Sequence, residues 1–339
     1  DYARRAKDSV DRGARLTAQL LSFARAQSLL PRMHNVNEMV NSLQELIEVS
    51  VGSKIQVRIE LCDGEAWALI DGAQLEMALL NMAVNSRDAM PDGGVYAMSI
   101  PMAPYRCPPG PYERACMVAS YFKKAKPRSK VVVFDANDDI TSKKGLFMKA
   151  WDEHYKGMID YRPKHKVVDV DVATNTLKFE FNDDFKAAVL NVIPNQSAGS
   201  IAVKTGLATA NNRWCEVDFL TFESKAQKNI HVLGDAIQIA PLMPKSGHMA
   251  NQHGKTCAAA VVSLLQGKEP PALPIYANTC YSFVTATDVV HVASVHRYDA
   301  EKKTMLTVPG SGGLSAQANA LEGQYAMAWA RNIWADTLA

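Results

Sequence analysis

A strand, a loop, a helix and a second strand follow one another over residues 95–135, and this order constrains the fold most strongly. Residues 95–100 alternate as a strand does, and a proline-rich loop occupies residues 101–111. Residues 112–125 have a helical pattern, and residues 130–135, KVVVFD, are an apolar run that ends in an acid. Two strands joined through a helix pair in parallel, so we predict an α/β fold with a parallel sheet.

Other hydrophobic patterns predict helices and strands on both sides of this unit. Towards the amino terminus the predicted elements are helices at 1–30, 36–51 and 72–90 and a strand at 55–61. Towards the carboxyl terminus they are strands within 166–193, a short buried strand at 230–234, a helix at 248–266, strands within 270–310 and a helix at about 316–334. The whole chain is therefore α+β, with a helical first part and a strand-rich last part.

Composition excludes several classes of function. The 37 Lys and Arg residues nearly balance the 35 Asp and Glu residues, which argues against nucleic-acid binding through bulk charge. No apolar run approaches the roughly 20 residues that span a bilayer. Residues 1–25 lack an apolar core of the secretory type, so we expect no signal peptide in this chain. None of the six cysteines has CxxC spacing, and we predict no metal site.

The predicted helix at 72–90 places three polar side chains on one face. Asn81, Asn85 and Asp88 fall at i, i+4 and i+7. Amide oxygens in that position can hold a hydrated Mg²⁺ against nucleotide phosphates. The alternative is ordinary capping and solvation near a polar helix end, and the spacing by itself favours this alternative.

Residues 13–94 resemble a fragment of a bacterial sensor histidine kinase. GARLTAQLLSFARAQSLLPR resembles the end of the dimerisation hairpin, and LEMALLNMAVNSRDAMPDGG resembles the N-box of the ATP-binding domain. The resemblance implies that Asn85 coordinates the Mg²⁺ of ATP and that Asn81 lies beside it. The glycine-rich ATP-lid boxes do not follow the DGG, so we expect a vestigial nucleotide site without kinase activity. His34 is interpreted as an exposed loop histidine and not as a phosphoacceptor.

The loop PYRCPPGPYER occupies the place where a dinucleotide-binding unit has GxGxxG. Its prolines remove backbone donors, so we expect it not to bind NAD. Cys107 in this loop precedes a helix, which can lower the pKa of a thiol. Cys280 lies far along the chain in the polar, turn-like stretch NTCYS. The residues alone leave open whether the two cysteines meet or are inert.

The pair Gly234-Asp235 closes the predicted strand IHVLG and precedes a loop and a helix. An acid at this point can bond a sugar-like hydroxyl, and a helix start offers N–H groups to an anion. The alternative is a plain turn with a helix cap.

Residues 95–339 resemble the flavoprotein subunit of flavocytochrome c sulfide dehydrogenase, within the flavin-dependent disulfide reductases. The resemblance is carried by RCPPGPYERA at 106–115, LFMKAWDEHYKGMIDYRP at 146–163, NVIPNQSAG at 191–199, WCEVDFLTFES at 214–224, IHVLGDA at 230–236, MPKSG at 243–247 and NTCYS at 278–282. It implies disulfide-reductase-like domains and a flavin-dependent sulfide oxidoreductase that passes electrons through FAD to a c-type cytochrome subunit in the periplasm.

The resemblance also assigns roles to single residues. Cys107 and Cys280 correspond to a redox-active cystine against the flavin ring. Asp235, with Gly234 before it, corresponds to the acid that binds the ribityl chain, and Trp329 corresponds to a tryptophan that packs near the flavin.

One further residue beside these positions has an open role. Lys245, in MPKSG, is counted with Gly234, Asp235 and Trp329 among the expected cofactor-binding residues, and its side chain either steers anionic hydrosulfide or caps its own loop.

The two resemblances meet at the turn Asp92-Gly93-Gly94, so we interpret the chain as a chimera. The expected domains are 1–94, kinase-like; 95–227, a degenerate dinucleotide-type α/β domain; and 228–339, a flavin-contacting segment with the C-terminal domain. The sequence has no GxGxxG fingerprint, so we expect the enzyme to be incomplete in this chain. The alternative function is a non-catalytic dimerisation or signalling fragment, or an inert fusion product.

Overall fold

The chain forms two compact units, which comprise residues 1–89 and 90–339. The computed structural model describes residues 30–51, 57–89 and 93–338. The amphipathic helix predicted at 1–30 lies outside the described residues.

The first unit combines a two-stranded sheet with helices. Strand β1 (Arg32–Asn35) pairs antiparallel with β2 (Trp67–Ile70). Its described helices are α1 (Val36–Ser42), α2 (Gln44–Val51) and α3 (Gly72–Ala89). The side chain of Asn35 accepts a hydrogen bond from the N–H of Asn37 and so starts α1.

Three expectations for this unit are corrected. Residues 57–61, the described part of the strand expected at 55–61, are not a strand; β1 and β2 pair with each other instead. The helix expected at 36–51 is two helices, because Leu43 turns into the core between them. His34 is in β1 and not in a loop. Its ring packs against Gly72, where an added Cβ would lie 3.0 Å from Cε1 and 3.1 Å from Nε2 of His34.

The second unit contains the predicted parallel sheet. Its strands are β3 (Val95–Ile100), β4 (Lys130–Asp135), β5 (Ile159–Arg162) and β9 (Val189–Val192), in the order β5-β4-β3-β9, with every neighbouring pair parallel. Helix α4 (Gly110–Ala125) connects β3 to β4, and α5 (Lys144–His154) connects β4 to β5. The strand–loop–helix–strand prediction is confirmed.

Two antiparallel sheets complete this unit. Strands β6 (Val167–Asp171), β7 (Thr176–Phe179) and β8 (Phe185–Lys186) form the smaller sheet. Strands β10 (Ile275–Phe283), β11 (Val289–Asp299), β12 (Thr304–Thr307) and β13 (Gly313–Leu314) form the larger one. The remaining described helices are α6 (Ser200–Lys204), α7 (Gly247–Leu265) and α8 (Ala320–Leu338).

The buried strand expected at 230–234 is absent. His231 makes one isolated bridge to Glu223, and Gly234 begins a short 3-10 helix that ends at Ala236. Ile230 and Leu233 are 40% and 38% exposed, so the apolar residues of this run do not form a core strand.

No helix in the described parts of the chain is long and apolar enough to cross a membrane.

Gly323 of α8 provides a test of how this helix packs against the β10–β11 turn. A Cβ on Gly323 would lie 2.2 Å from the carbonyl oxygen of Thr287, so Gly323→Ala forces the helix away from the turn. We expect a loss of about 1–3 kcal/mol in the free energy of unfolding, measured by denaturant titration.

Gly254→Ala is the matched control within α7. A Cβ there meets nothing within 4 Å, so alanine should stabilise the protein by up to about 1 kcal/mol. Equal stability of the wild type and the Gly323→Ala variant would contradict the packing described for α8.

Candidate active site

The loop between β3 and α4 holds Cys107 in a constrained conformation. Its φ of 53° is in the left-handed region, which costs energy for a residue other than glycine. Two backbone hydrogen bonds fix it: the Cys107 N–H donates to the carbonyl of Lys245 (2.7 Å), and the Cys107 carbonyl accepts from Gly110 N–H (2.8 Å). A Cβ on Gly110 would lie 2.9 Å from the Cys107 Sγ, so only glycine leaves room for the thiol.

Cys280 lies inside strand β10, opposite Val292 of β11, and not in the turn that the sequence suggested. The Asn278 side chain points to the same side of the strand, and its Nδ2 lies 3.5 Å from the Cys280 Sγ. The ammonium group of Lys143 donates to the Cys280 carbonyl at 2.9 Å.

Cys107 and Cys280 belong to one electrostatic cluster with Glu113 and Lys143. The charge of Glu113 raises the pKa of both thiols, and the charge of Lys143 lowers it. Neither cysteine is in a disulfide. Desolvation of the sulfur in its loop, then the charges of Cys280 and Glu113, raise the pKa of Cys107 to about 11, although the residue as a whole is exposed. The expectation that α4 lowers this pKa is wrong, because desolvation outweighs the helix dipole here.

The two other members of the cluster are also shifted by burial. Desolvation lowers the pKa of Lys143 to about 8, although the nearby acidic groups oppose this shift. Desolvation also raises the pKa of the Glu113 carboxyl, whose Oε1 accepts the N–H of Phe283 at 2.8 Å. Shifted groups that meet around two thiols are typical of a functional site.

A cleft of about 1000 Å³ opens beside the Cys107 loop. Its walls are the start of α4, the segment that follows β9, Trp214 and the Asp235-Ala236 turn. Two buried oxygens in this wall, Asn191 Oδ1 and Asp235 Oδ1, have no hydrogen-bond partner. Buried polar atoms are rarely left unpaired, so the cleft fits a ligand that offers hydroxyl or N–H donors.

Lys245 connects the turn at Asp235 to the Cys107 loop. Its Nζ donates to the carbonyls of Asp235 (2.8 Å) and Ile237 (2.6 Å) and lies 3.6 Å from the ring centre of Trp214. Burial lowers its pKa to about 8. Its donors are directed to backbone carbonyls, and its side chain is 2% exposed. This geometry favours the loop-capping alternative over the steering of hydrosulfide.

Gly234 and Trp329 lie next to these elements. Gly234 has a φ of +68°, and its N–H donates to Nδ1 of the buried His253 at 3.3 Å. Trp329 of α8 packs on His248 and on Tyr281, the neighbour of Cys280. The Trp329 Nε1–H is buried without a partner. The flavin contacts expected of both residues stay predictions.

The acid at the end of β4 is not available to a dinucleotide. Asp135 is fully buried and accepts hydrogen bonds from the hydroxyls of Tyr112 and Tyr161 and from the backbone and side chain of Asn137. In a dinucleotide-binding fold an acid near this strand end bonds the ribose. The acceptors of Asp135 are thus used inside the protein, and the expectation that this unit does not bind NAD stays a prediction.

Asn81 and Asn85 of the kinase-like stretch are in α3 of the first unit. Asn81 is half-buried, and the side chain of Asn85 lies outside the described residues. The vestigial nucleotide site stays a prediction. In the described parts of the chain, no group of three or more His, Cys, Asp or Glu side chains is arranged to hold a metal ion.

Sequence reasoning missed four residues of this site: Glu113, Lys143, Asn191 and Asn278. Asn278 had a usable signal, because residues i and i+2 of a strand share a face and Cys280 was already a candidate. Lys143 had none, since 137 residues separate it from Cys280.

Comparison with known families assigns the second unit. Residues 81–194 match the central domain of the sulfide dehydrogenase (flavocytochrome c) flavoprotein chain. Residues 272–338 match the flavin-binding domain of flavocytochrome c sulfide dehydrogenase. These two stretches of the chain are thus similar to the two domains of that flavoprotein. The resemblance to the flavoprotein and its flavin-binding character are confirmed, and the first match begins earlier than Val95.

Individual relatives agree with a composite chain. A sensor kinase CckA from Brucella abortus (strain 2308) is 31% identical over 133 residues, which are 39% of this chain and 13% of the kinase. The sulfide:quinone oxidoreductase from Aquifex aeolicus aligns with a TM-score of 0.56 at 14% identity, over 78% of this chain and 62% of that chain. This chain thus spans a small part of the kinase and under two thirds of the oxidoreductase.

The likeness to the oxidoreductase concerns the fold alone. A ferredoxin reductase from Rhodopseudomonas palustris aligns with a TM-score of 0.41 at 14% identity, over 65% of this chain and 57% of that chain.

The raised pKa of Cys107 predicts slow alkylation at neutral and mildly alkaline pH. A shift from 9.0 to about 11 lowers the thiolate fraction at pH 8 by about 100-fold, and the thiolate is the reactive form. We expect Cys107 to react with iodoacetamide about 100-fold more slowly in the folded chain than in urea, measured by peptide mass spectrometry. Cys62, which is exposed as Cys107 is, is the internal reference. Equal rates for Cys107 in both states would contradict the desolvated thiol.

Proposed function

We propose that the second unit is the cysteine-bearing part of an FAD-dependent sulfide oxidoreductase, with Cys107 and Cys280 as its redox-active pair. The observation that carries this proposal is that the charge of Cys280 acts on the distant Cys107, which lines the same cleft as Asp235. The match of residues 272–338 to a flavin-binding domain supports FAD as the ligand of this cleft.

The residues of the cleft fit a flavin. Asp235 Oδ1 and Asn191 Oδ1 are unpartnered acceptors for ribityl hydroxyls. Gly234 allows the turn that presents Asp235, and Lys245 fixes that turn from the other side. When bound, FAD supplies the acceptor for the electron pair that leaves the cysteines.

The chemistry of the cysteine pair starts from its disulfide form. Hydrosulfide attacks one sulfur, a new S–S bond forms, the Cys107–Cys280 bond breaks, and its electron pair leaves on the other sulfur as a thiolate. The hydrosulfide proton stays on the terminal sulfur of the persulfide. Glu113, whose carboxyl has a raised pKa and whose charge acts on both cysteines, is the proposed acceptor of this proton.

A c-type cytochrome subunit in the periplasm is the proposed electron acceptor. Support comes from the matched family, whose flavoprotein chain belongs to a flavocytochrome c. We infer both the partner and the compartment from that family.

The first unit has a different proposed role. The identity with a sensor kinase supports a kinase-like fragment. We propose either that this fragment serves helical dimerisation or signalling without catalysis, or that it is an inert part of a fusion.

Flavin titration of the full chain tests the first proposal. We expect FAD binding that quenches flavin fluorescence, and anaerobic sulfide should bleach the bound flavin. Asp235→Asn should weaken binding about tenfold, or about 1.4 kcal/mol, because it removes the charge-assisted bond to a hydroxyl. Cys107→Ser should bind FAD normally and lose the bleaching.

Cys62→Ser is the control, since Cys62 belongs to the first unit and should leave both signals intact. Sulfide bleaching by Cys107→Ser at the wild-type rate, or a chain that binds no FAD, would contradict the proposal.

Titration with Mg²⁺ and ATP tests the kinase-like unit. We expect no micromolar binding by calorimetry, because the glycine-rich lid that encloses ATP does not follow the DGG turn. Micromolar, Mg²⁺-dependent binding that Asn85→Ala abolishes would overturn this expectation.

A further inference from the structure

Lys143 is a buried lysine beside the cysteine pair, and neither resemblance assigns it a role. We propose that Lys143 is a positioning residue that fixes the strand bearing Cys280 and stabilises the thiolate of that cysteine. The purpose of Lys143 in catalysis rests on the proposed function. The experiment that tests its effect on Cys280 needs neither flavin nor sulfide.

The contacts of Lys143 all lead to the β10–β11 hairpin. Its Nζ donates to the carbonyl of Cys280 (2.9 Å), the hydroxyl of Ser282 (2.8 Å) and the carbonyl of Val290 (3.1 Å). An ammonium group has three N–H donors, so these bonds use all of them. The residue is 5% exposed, and its backbone has a φ of 55° at the start of α5. The three hydrogen bonds therefore hold the Lys143 ammonium group in one position.

None of these three hydrogen-bond partners of Lys143 carries a negative charge. Burying an ammonium group without a counter-charge costs several kcal/mol. The charges that stabilise its protonated form are, in order, those of Cys280, Glu113, Cys107 and Glu322. The thiolate of Cys280 is the first of them, and coupling between two sites is reciprocal. The positive charge therefore favours the ionised form of Cys280.

One side-chain donor is directed at the Cys280 sulfur itself. The Ser246 hydroxyl donates to Asn278 Oδ1 at 2.6 Å, and this bond assigns the oxygen and leaves Nδ2 facing the Cys280 Sγ at 3.5 Å. Ser246 is itself fixed, since its hydroxyl accepts the N–H of Met249 at the start of α7. The Cys280 sulfur thus has the Asn278 amide as a side-chain N–H donor. The Lys143 ammonium group is bound to the backbone carbonyl of the same cysteine.

The other titratable groups around Cys280 act in both directions. Glu113 of α4 opposes ionisation of Cys280, and burial raises the pKa of this thiol overall. His248 of α7 accepts the N–H of Thr279, the residue before Cys280, while Glu322 of α8 acts on Lys143. For Cys107 the influence of Lys143 is the smallest of those that act on its pKa. Ionisation of the reduced pair is therefore expected at Cys280 first.

Alkylation of the reduced full chain against pH, resolved by peptide mass spectrometry, tests the proposal. In the wild type we expect the Cys280 midpoint at lower pH than the Cys107 midpoint. Lys143→Met should raise the Cys280 midpoint by at least about one pH unit, so that Cys280 is alkylated about tenfold more slowly at any pH below the midpoint. The Cys107 midpoint should move less. Ser282→Ala is the matched control, because it removes one hydrogen bond and keeps the charge.

The outcomes separate the proposal from a purely structural role. A Cys280 midpoint that stays unchanged in a folded Lys143→Met variant overturns it, as does an equal shift in Ser282→Ala. If Lys143→Met does not fold, the wild-type order decides: Cys107 ionising at or below the pH of Cys280 overturns the proposal. Flavin binding is measured separately, so its failure would contradict the proposed function and leave this result standing.

Discussion

The hydrogen bonds of Lys245 connect the two sides of the candidate site. Its backbone carbonyl holds the strained Cys107 turn, and its ammonium group holds the Asp235 turn. The thiol loop follows a parallel strand, and the Asp235 turn comes from a long irregular segment, so no regular pairing fixes their spacing. One side chain over Trp214 fixes it instead. Loss of this contact would separate the thiol from the proposed ligand wall.

The second unit contains two lysines with buried ammonium groups near the candidate site. Lys143 and Lys245 are both buried, both have pKa values lowered to about 8, and both donate to backbone carbonyls. Lysines are rarely buried because removal from water penalises the charge. Lys143 places positive charge beside the Cys107 and Cys280 thiols and partly offsets the raising effect of desolvation on their pKa values, while Lys245 has the same effect on Cys215.

Much of the fold followed from local pattern. The parallel unit of β3, α4 and β4 was predictable because buried strands and a connecting helix leave a strong periodic signal. The run at 230–234 was misread because a short apolar stretch does not reveal whether a partner strand exists. The same holds for the alternation at 55–61, since β1 and β2 pair with each other.

The site was less predictable than the fold. The pairing of Cys107 with Cys280 came from family resemblance, since spacing does not report contacts across the fold. Lys143 and Glu113 escaped notice because their importance arises from desolvation and from neighbours distant in sequence. The pKa of Cys107 went in the opposite direction from the expectation, since a helix start is visible in a sequence and the desolvation of a particular sulfur atom is not.

The central claim is that Cys107 and Cys280 act as one redox pair. Mild oxidation of the full chain, followed by non-reducing peptide mapping, tests it most directly. The account predicts a Cys107–Cys280 disulfide that forms before any other cross-link and that sulfide opens again. Oxidation that leaves both thiols free, or that joins either of them to a different cysteine first, would contradict it.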